Sequence, residues 1–189
     1  LNNEARVGGC TGSMQTNPID DCTNSGNITI NGTYTTVSKF AGIAAGTDQP
    51  VKNSTNTGNI TVNGTFSAPI YLAGIVANPL NAVTDGTNKG AIVLDATINA
   101  TTSCGVGGVL GYAQDEKTGV HKNLTNEGTI TVKGTSSYTI YTGGVIGNVN
   151  MSNGHTNIQN KESGVITVAM NDDSTGNAFV GGAIGLAQD

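Results

Sequence analysis

One phrase recurs along this chain and restricts what it can fold into. It reads Asn24-Ser-Gly-Asn-Ile-Thr-Ile, then Asn56-Thr-Gly-Asn-Ile-Thr-Val, Asn88-Lys-Gly-Ala-Ile-Val-Leu, Asn126-Glu-Gly-Thr-Ile-Thr-Val and, more loosely, Asn160-Lys-Glu-Ser-Gly-Val-Ile-Thr-Val. Each phrase is followed by a Gly-Gly or Ala-Gly pair, and a further pair precedes the first. The second residues of these pairs are Gly9, Gly42, Gly74, Gly108, Gly144 and Gly182, a period of about 32 to 38 residues. That period marks solenoids, propellers and arrays, in which each unit buries its apolar face only against its neighbours.

Within a unit three strand-like stretches are expected. The clearest holds Ile28/Ile30, Ile60/Val62, Ile92/Leu94, Ile130/Val132 and Ile166/Val168 on one face, because strand side chains alternate with period two. The second runs through the Gly pair, where the missing side chains allow a sharp bend or a close backbone approach. The third ends on the unvarying Asn of Asp21-Cys-Thr-Asn24, Asn53-Ser-Thr-Asn56, Asp85-Gly-Thr-Asn88, Asn123-Leu-Thr-Asn126 and Asn157-Ile-Gln-Asn160. Asn tolerates left-handed turns, and its amide can bond the same residue one coil away, so Asn24, Asn56, Asn88, Asn126 and Asn160 are expected to form a stacked ladder. These features predict an all-β parallel β-helix of about five repeats of 32–38 residues, spanning 1–189 as one array. A β-propeller is the alternative, but a fixed polar residue is better explained by like stacking on like. The chain starts and stops in the same phase of the repeat, without an atypical polar unit at either terminus, and is expected to be a segment of a longer solenoid.

Composition sets the class of partner. Charged residues are 11% of the chain, aromatics 4%, and the formal net charge is −5 with no basic cluster. Such a surface has no electrostatic hold on phosphate, which argues against nucleic acid and anionic membranes. No apolar run has the length to span a bilayer. Cys10, Cys22 and Cys104 fall in mostly apolar columns of the repeat and are expected as core residues rather than as a disulfide framework, with a Cys10–Cys22 bridge as the alternative.

Two stretches, Asp21-Cys-Thr-Asn-Ser-Gly-Asn-Ile and Gly107-Gly-Val-Leu-Gly-Tyr112, resemble the N-C-x-N-x-G-x-V and G-G-I-V-G-Y phrases of GLUG-type repeats, and the resemblance runs over essentially the whole chain. It implies an extracellular or cell-surface β-solenoid with adhesive or scaffolding roles, and as partners host or matrix glycans and proteins.

Side chains able to carry chemistry give little to an enzyme. The tight acidic pairs Asp20/Asp21, Asp115/Glu116 and Asp172/Asp173 read as solvated turns. His121 and His155 read as loop residues that form no ligand set with a cysteine, and no cofactor or metal is expected. Thr29/Thr61/Thr131/Thr167 and Thr33/Thr65/Thr97/Thr135 would stack into hydroxyl ladders, but Val93 interrupts the first and the intervening Gly turn is expected to keep the rows off one flat face. Tyr71 and Tyr141 share a repeat position and form a candidate ligand face, with partial burial in an aromatic stack as the competing reading. Asn27, Asn31, Asn53, Asn59, Asn63, Asn99, Asn123 and Asn150 stand in Asn-x-Ser/Thr sequons, candidate glycan acceptors that an Asn- and Thr-rich repeat also produces by itself.

The expectation is a non-catalytic structural or adhesive solenoid of a surface or filament protein, open to end-to-end self-association. The alternatives are a carbohydrate-binding module, or a non-catalytic part of a polysaccharide-active enzyme.

Overall fold

A computed structural model describes residues 4–113, 119–150 and 154–188, without the side chain of Asn150. The described chain is all-β and contains no helix, hence none that is long and apolar enough to cross a membrane. Every strand pairing is parallel, and the chain winds as a β-solenoid.

Each coil carries four sheet segments rather than three. Sheet D stacks the long strands Ile28–Tyr34, Ile60–Phe66, Ile92–Ile98, Ile130–Ser136 and Ile166–Met170. Sheet A stacks Ala5–Gly8, Ser38–Ala41, Ile70–Ala73, Cys104–Gly107, Ile140–Gly143 and Ala178–Gly181. The Gly pair then turns the chain into sheet B, of Ala44–Thr47, Val76–Pro79, Leu110–Ala113, Ile146–Asn150 and Ile184–Gln188. Sheet C follows, with two short strands per coil such as Val51–Lys52 and Thr55–Asn56, which merge later into Lys122–Asn126 and Thr156–Asn160.

The extra segment arises because the Gly-pair stretch is a fold, not one strand. Sheets A and B run back on each other so closely that a Cβ on Gly105 would stand 2.3 Å from the Gly111 carbonyl oxygen. A Cβ on Gly107 would stand 1.9 Å from that of Leu110. Only glycine permits such backbone-to-backbone packing. The apex of the fold crosses the coil interior and meets the Asn ladder on the far wall. A Cβ on Gly42, Gly74 or Gly108 would lie 2.3 Å from Cγ of Asn56, Asn88 or Asn126 respectively.

This pleat divides the interior into two separate cores. One lies between sheets A and D and holds Phe40, Phe66, Leu72, Leu94, Val106 and Val132. The other lies between sheets B and C and holds Ile43, Ile75, Val76, Leu110, Leu124 and Val145. Burying each such side chain stabilises the fold by about 1.5–3 kcal/mol.

The Asn ladder forms as expected. Nδ2 of Asn24, Asn56 and Asn88 donates to Oδ1 of the next ladder Asn at 2.8 Å, and Asn126 donates to Asn160 at 2.9 Å. Each Nδ2 also donates to a nearby glycine carbonyl, such as Asn56 to Gly58 at 2.8 Å. Asn56, Asn88 and Asn126 are fully buried, so these bonds satisfy amides that water cannot reach. The left-handed residue, however, is not the ladder Asn but the one three positions earlier. Asp21, Asn53, Asp85, Asn123 and Asn157 all have φ between 48° and 56° and bend sheet C between its two short strands. Asp and Asn tolerate that conformation better than other residues bearing a Cβ.

The cysteine expectation is corrected: Cys10 and Cys22 are disulfide-bonded, and only Cys104 is a buried free thiol. The columns of Cys10 and Cys22 are mostly apolar, as expected, but both line the second core and face each other across it. At one level of the stack their Cα atoms are 6.9 Å apart.

Candidate functional site

The residues that sequence singled out lie in several parts of the solenoid. On sheet D the strands are continuous through Gly32, Gly64 and Gly134, so the outward positions alternate without a break. Both Thr rows therefore share one sheet face, against expectation. Between them runs the row Asn31, Asn63, Asp95, Lys133 and Ala169. Asn63 Nδ2 donates to Asn31 Oδ1 at 2.9 Å, and Lys133 pairs with Asp95 at 2.9 Å. Val93 and this ion pair interrupt the hydroxyl lattice.

The sequon residues Asn27, Asn31, Asn53, Asn59, Asn99 and Asn123 are exposed, Asn63 is half-buried, and the side chain of Asn150 lies outside the described residues. Several are engaged in inter-coil bonds. Asn27 Oδ1 accepts the Asn59 N–H, Asn53 Nδ2 donates to Asp20 Oδ1, and Asn123 Nδ2 donates to Asp85 Oδ1. Asp20/Asp21 and Asp172/Asp173 are exposed as expected, and Asp115/Glu116 fall outside the described residues. Among the described residues no group of three His, Cys, Asp or Glu side chains gathers for a metal.

The histidines differ from the loop reading. His121 is fully buried, and its ring stacks on His155 with centroids 4.7 Å apart. His121 Nδ1 accepts the Val83 N–H and His155 Nδ1 accepts the His121 N–H, each at 3.0 Å. In the earlier coils the corresponding acceptors are backbone carbonyls, as where Ile19 donates to Pro50 and Val51 to Ala82. Longer connections precede the two histidines, and their rings continue the hydrogen-bond row there. Burial, helped by His155, pulls the His121 pKa down to about 3, so the ring is neutral at ordinary pH.

A groove runs between sheets A and B, on the side opposite the Gly-pair apex. One wall is the sheet A column Arg6, Lys39, Tyr71, Gly105, Tyr141 and Phe179. Tyr71 and Tyr141 thus share a column, as read, but Gly105 separates them. Tyr112, from sheet B, takes the vacant place and stacks on Tyr71 with centroids 4.4 Å apart and planes 15° apart. Tyr141 stacks on Phe179 at 5.5 Å. Beside Lys39 and Tyr71 the groove widens into a cavity of about 530 Å³ lined also by Glu4, Thr36, Val37, Asn78 and Tyr112. Its volume lies within the usual range of about 300–1,000 Å³ for small-molecule sites. Tyr112, Asn78 and Glu4 escape a reading by columns because they enter from a neighbouring sheet or coil.

An ion pair ties two of these lining residues, Glu4 and Lys39. Glu4 accepts from Arg6 Nε at 2.8 Å and pairs with Lys39 Nζ at 2.8 Å. Burial alone would raise the Glu4 pKa, but hydrogen bonds from Lys39 and Arg6 and their charges outweigh it and hold it below the ordinary value. Asn78 Nδ2 donates to the Tyr112 carbonyl at 2.8 Å, which fixes the amide in the wall.

No family model, no curated protein and no solved structure matches the chain.

Proposed function

We propose that this chain is a rigid, non-catalytic segment of an extracellular or cell-surface β-solenoid that serves adhesion or mechanical linkage through its outer faces. The observation that carries the reading is the in-register stack: all four sheets keep their pairing from coil to coil, locked by the buried Asn ladder. A stack of this kind gives a stiff body with long repeating faces, in which each coil adds about 5 Å of reach. The Cys10–Cys22 disulfide supports a location outside the reducing cytosol. The GLUG-type phrases support the same class, with host or matrix glycans and proteins as partners.

End-to-end association belongs to this proposal. Val180 is 52% exposed in the column that elsewhere buries Phe40, Leu72 and Val106, so a further coil in register would cover it.

A carbohydrate-binding module is the second reading, favoured by the Tyr71–Tyr112 stack beside Asn78 and Lys39 in one groove.

The test is a binding screen of the purified chain, immobilised on beads, against glycans and matrix proteins, with a solenoid of unrelated surface as control. Saturable binding to one class that the control lacks is the expected result. Binding no stronger than the control across the panel, or turnover of a polysaccharide by the chain, contradicts the adhesive reading.

A further inference from the structure

We infer that sheet C carries an acid-operated joint at Val83, His121 and His155: protonation of the imidazoles removes the acceptors of two backbone N–H groups and opens the sheet there, while the Asn ladder beside it stays closed. The joint goes beyond the adhesive reading and works whether or not the outer faces hold a partner.

The position of the two rings in the hydrogen-bond row makes them sensitive. By register His121 and His155 continue the column of Ile19, Val51 and Val83. In the earlier coils the N–H groups of this row donate to backbone carbonyls, Ile19 to Pro50 and Val51 to Ala82, which do not titrate. From Val83 onward the acceptor is Nδ1 of an imidazole, His121 for the Val83 N–H and His155 for the His121 N–H. A neutral imidazole has one N–H and one accepting nitrogen. With Nδ1 accepting, the ring proton sits on Nε2, and a second proton can bind only through the lone pair that holds the backbone N–H. Protonation and the backbone bond therefore exclude each other, which is not so for a carbonyl.

Charge adds to the effect. The rings stack with centroids 4.7 Å apart, so a proton on one repels a proton on the other. Among the described residues no carboxylate offsets that charge. Val83–Thr84 and Thr156–Asn160, beside the ring, and Leu110–Ala113 and Ile146–Asn150, across the second core, carry no Asp, Glu, Lys or Arg, and Asp85 and Lys122 next to the joint are exposed. His121 Nε2 is buried and has no hydrogen-bond partner among the described residues, so a charged ring gains nothing on that side either. The opening is confined because the left-handed residues Asp85, Asn123 and Asn157 separate this half of sheet C from the ladder half. There the bonds from Asn88 to Asn126 and from Asn126 to Asn160 involve no titratable group.

The experiment is native-state amide hydrogen exchange of the intact chain, followed by NMR from pH 7 to pH 4 and corrected for intrinsic exchange. Protection of the Val83 and His121 amides is expected to fall about tenfold per pH unit below the ordinary histidine value of about 6.5, or about 100-fold by pH 4.5. The Ile19, Val51 and Thr125 amides, which donate to carbonyls, are expected to keep theirs. His121→Asn, whose side-chain oxygen accepts without titrating, is expected to hold Val83 protection constant, and His155→Asn to do the same for the His121 amide. Protection of Val83 and His121 that runs parallel to that of Ile19 and Val51 overturns the inference, as does pH dependence of Val83 that persists in His121→Asn. Loss of Thr125 protection together with that of Val83 overturns it too, since the whole stack would then be unfolding. The parent's exchange pattern decides by itself if a variant fails to fold.

Discussion

Gly42 and Asn56 compete for one volume inside the solenoid: a Cβ on Gly42 would stand 2.3 Å from Asn56 Cγ and 2.3 Å from the Gly74 carbonyl oxygen. The same contact recurs at Gly74 with Asn88 and at Gly108 with Asn126. The repeated glycine and the repeated asparagine are thus two sides of one joint, where the pleat of sheets A and B meets the opposite wall.

The joint makes a sharp prediction about glycine. Gly74→Ala forces atoms into backbone and a buried amide and is expected to destabilise the chain by about 3 kcal/mol or more. Gly182→Ala, at the same repeat position but with nothing within 4 Å of its Cβ, is expected to stay within about 0.5 kcal/mol of the parent. Urea unfolding of both variants checks this, and similar losses in the two would show that the clash is not the cause.

Removing a ladder residue tests the other side. Asn88→Ala deletes the bond from Asn56, the bond to Asn126 and the bond to Gly90, and leaves buried partners unsatisfied. A loss of about 2–4 kcal/mol is expected. Asn99→Ala, at an exposed position, serves as the reference and is expected to cost less than about 0.5 kcal/mol.

Much of this joint was legible in the sequence, because ladders and Gly pairs recur at fixed spacing and a stacked fold converts period directly into neighbourhood. What period does not reveal is how the columns of one coil face each other. The repeat sets Cys10 and Cys22 in mostly apolar columns, yet that both columns line one core is a property of the pleat. Tyr71 and Tyr141 share a column, as the repeat implies, but Gly105 leaves a gap that Tyr112 fills from another sheet. The unvarying ladder Asn draws the eye for a left-handed turn that belongs three residues earlier, in a column that Asp and Asn serve equally well. His121 looked like a loop residue because the insertions before it hide that its ring replaces a carbonyl in the hydrogen-bond row.

His121 also sets a pH dependence. Its folded pKa, about 3, is below the unfolded value of about 6.5. Above the unfolded value neither state holds the proton. As pH falls below it, the unfolded chain binds a proton that the folded chain excludes, so stability drops by up to about 1.4 kcal/mol per pH unit until the folded value is reached. Urea melts between pH 7 and pH 4 are expected to show a steeper fall for the parent than for His121→Asn. Parallel curves would contradict the assignment.

The cysteines give a chemical prediction. The native chain is expected to show no titratable thiol, because Cys104 is buried and burial pushes its pKa up to about 11, while Cys10 and Cys22 are bridged. Unfolding without reductant should expose one thiol, and unfolding with reductant all three. Replacing the bridged pair by Ser is expected to cost about 3 kcal/mol. A thiol that labels readily in the folded chain would contradict this arrangement.

The most direct test of the pleated, two-core stack is NMR of the ladder side chains. If the account is right, the Nδ2 amide protons of Asn56, Asn88 and Asn126 show cross-peaks from each Asn to the next and exchange with solvent as slowly as the most protected strand amides. Ladder amides that exchange within the dead time, or that show no contact across coils, would contradict it.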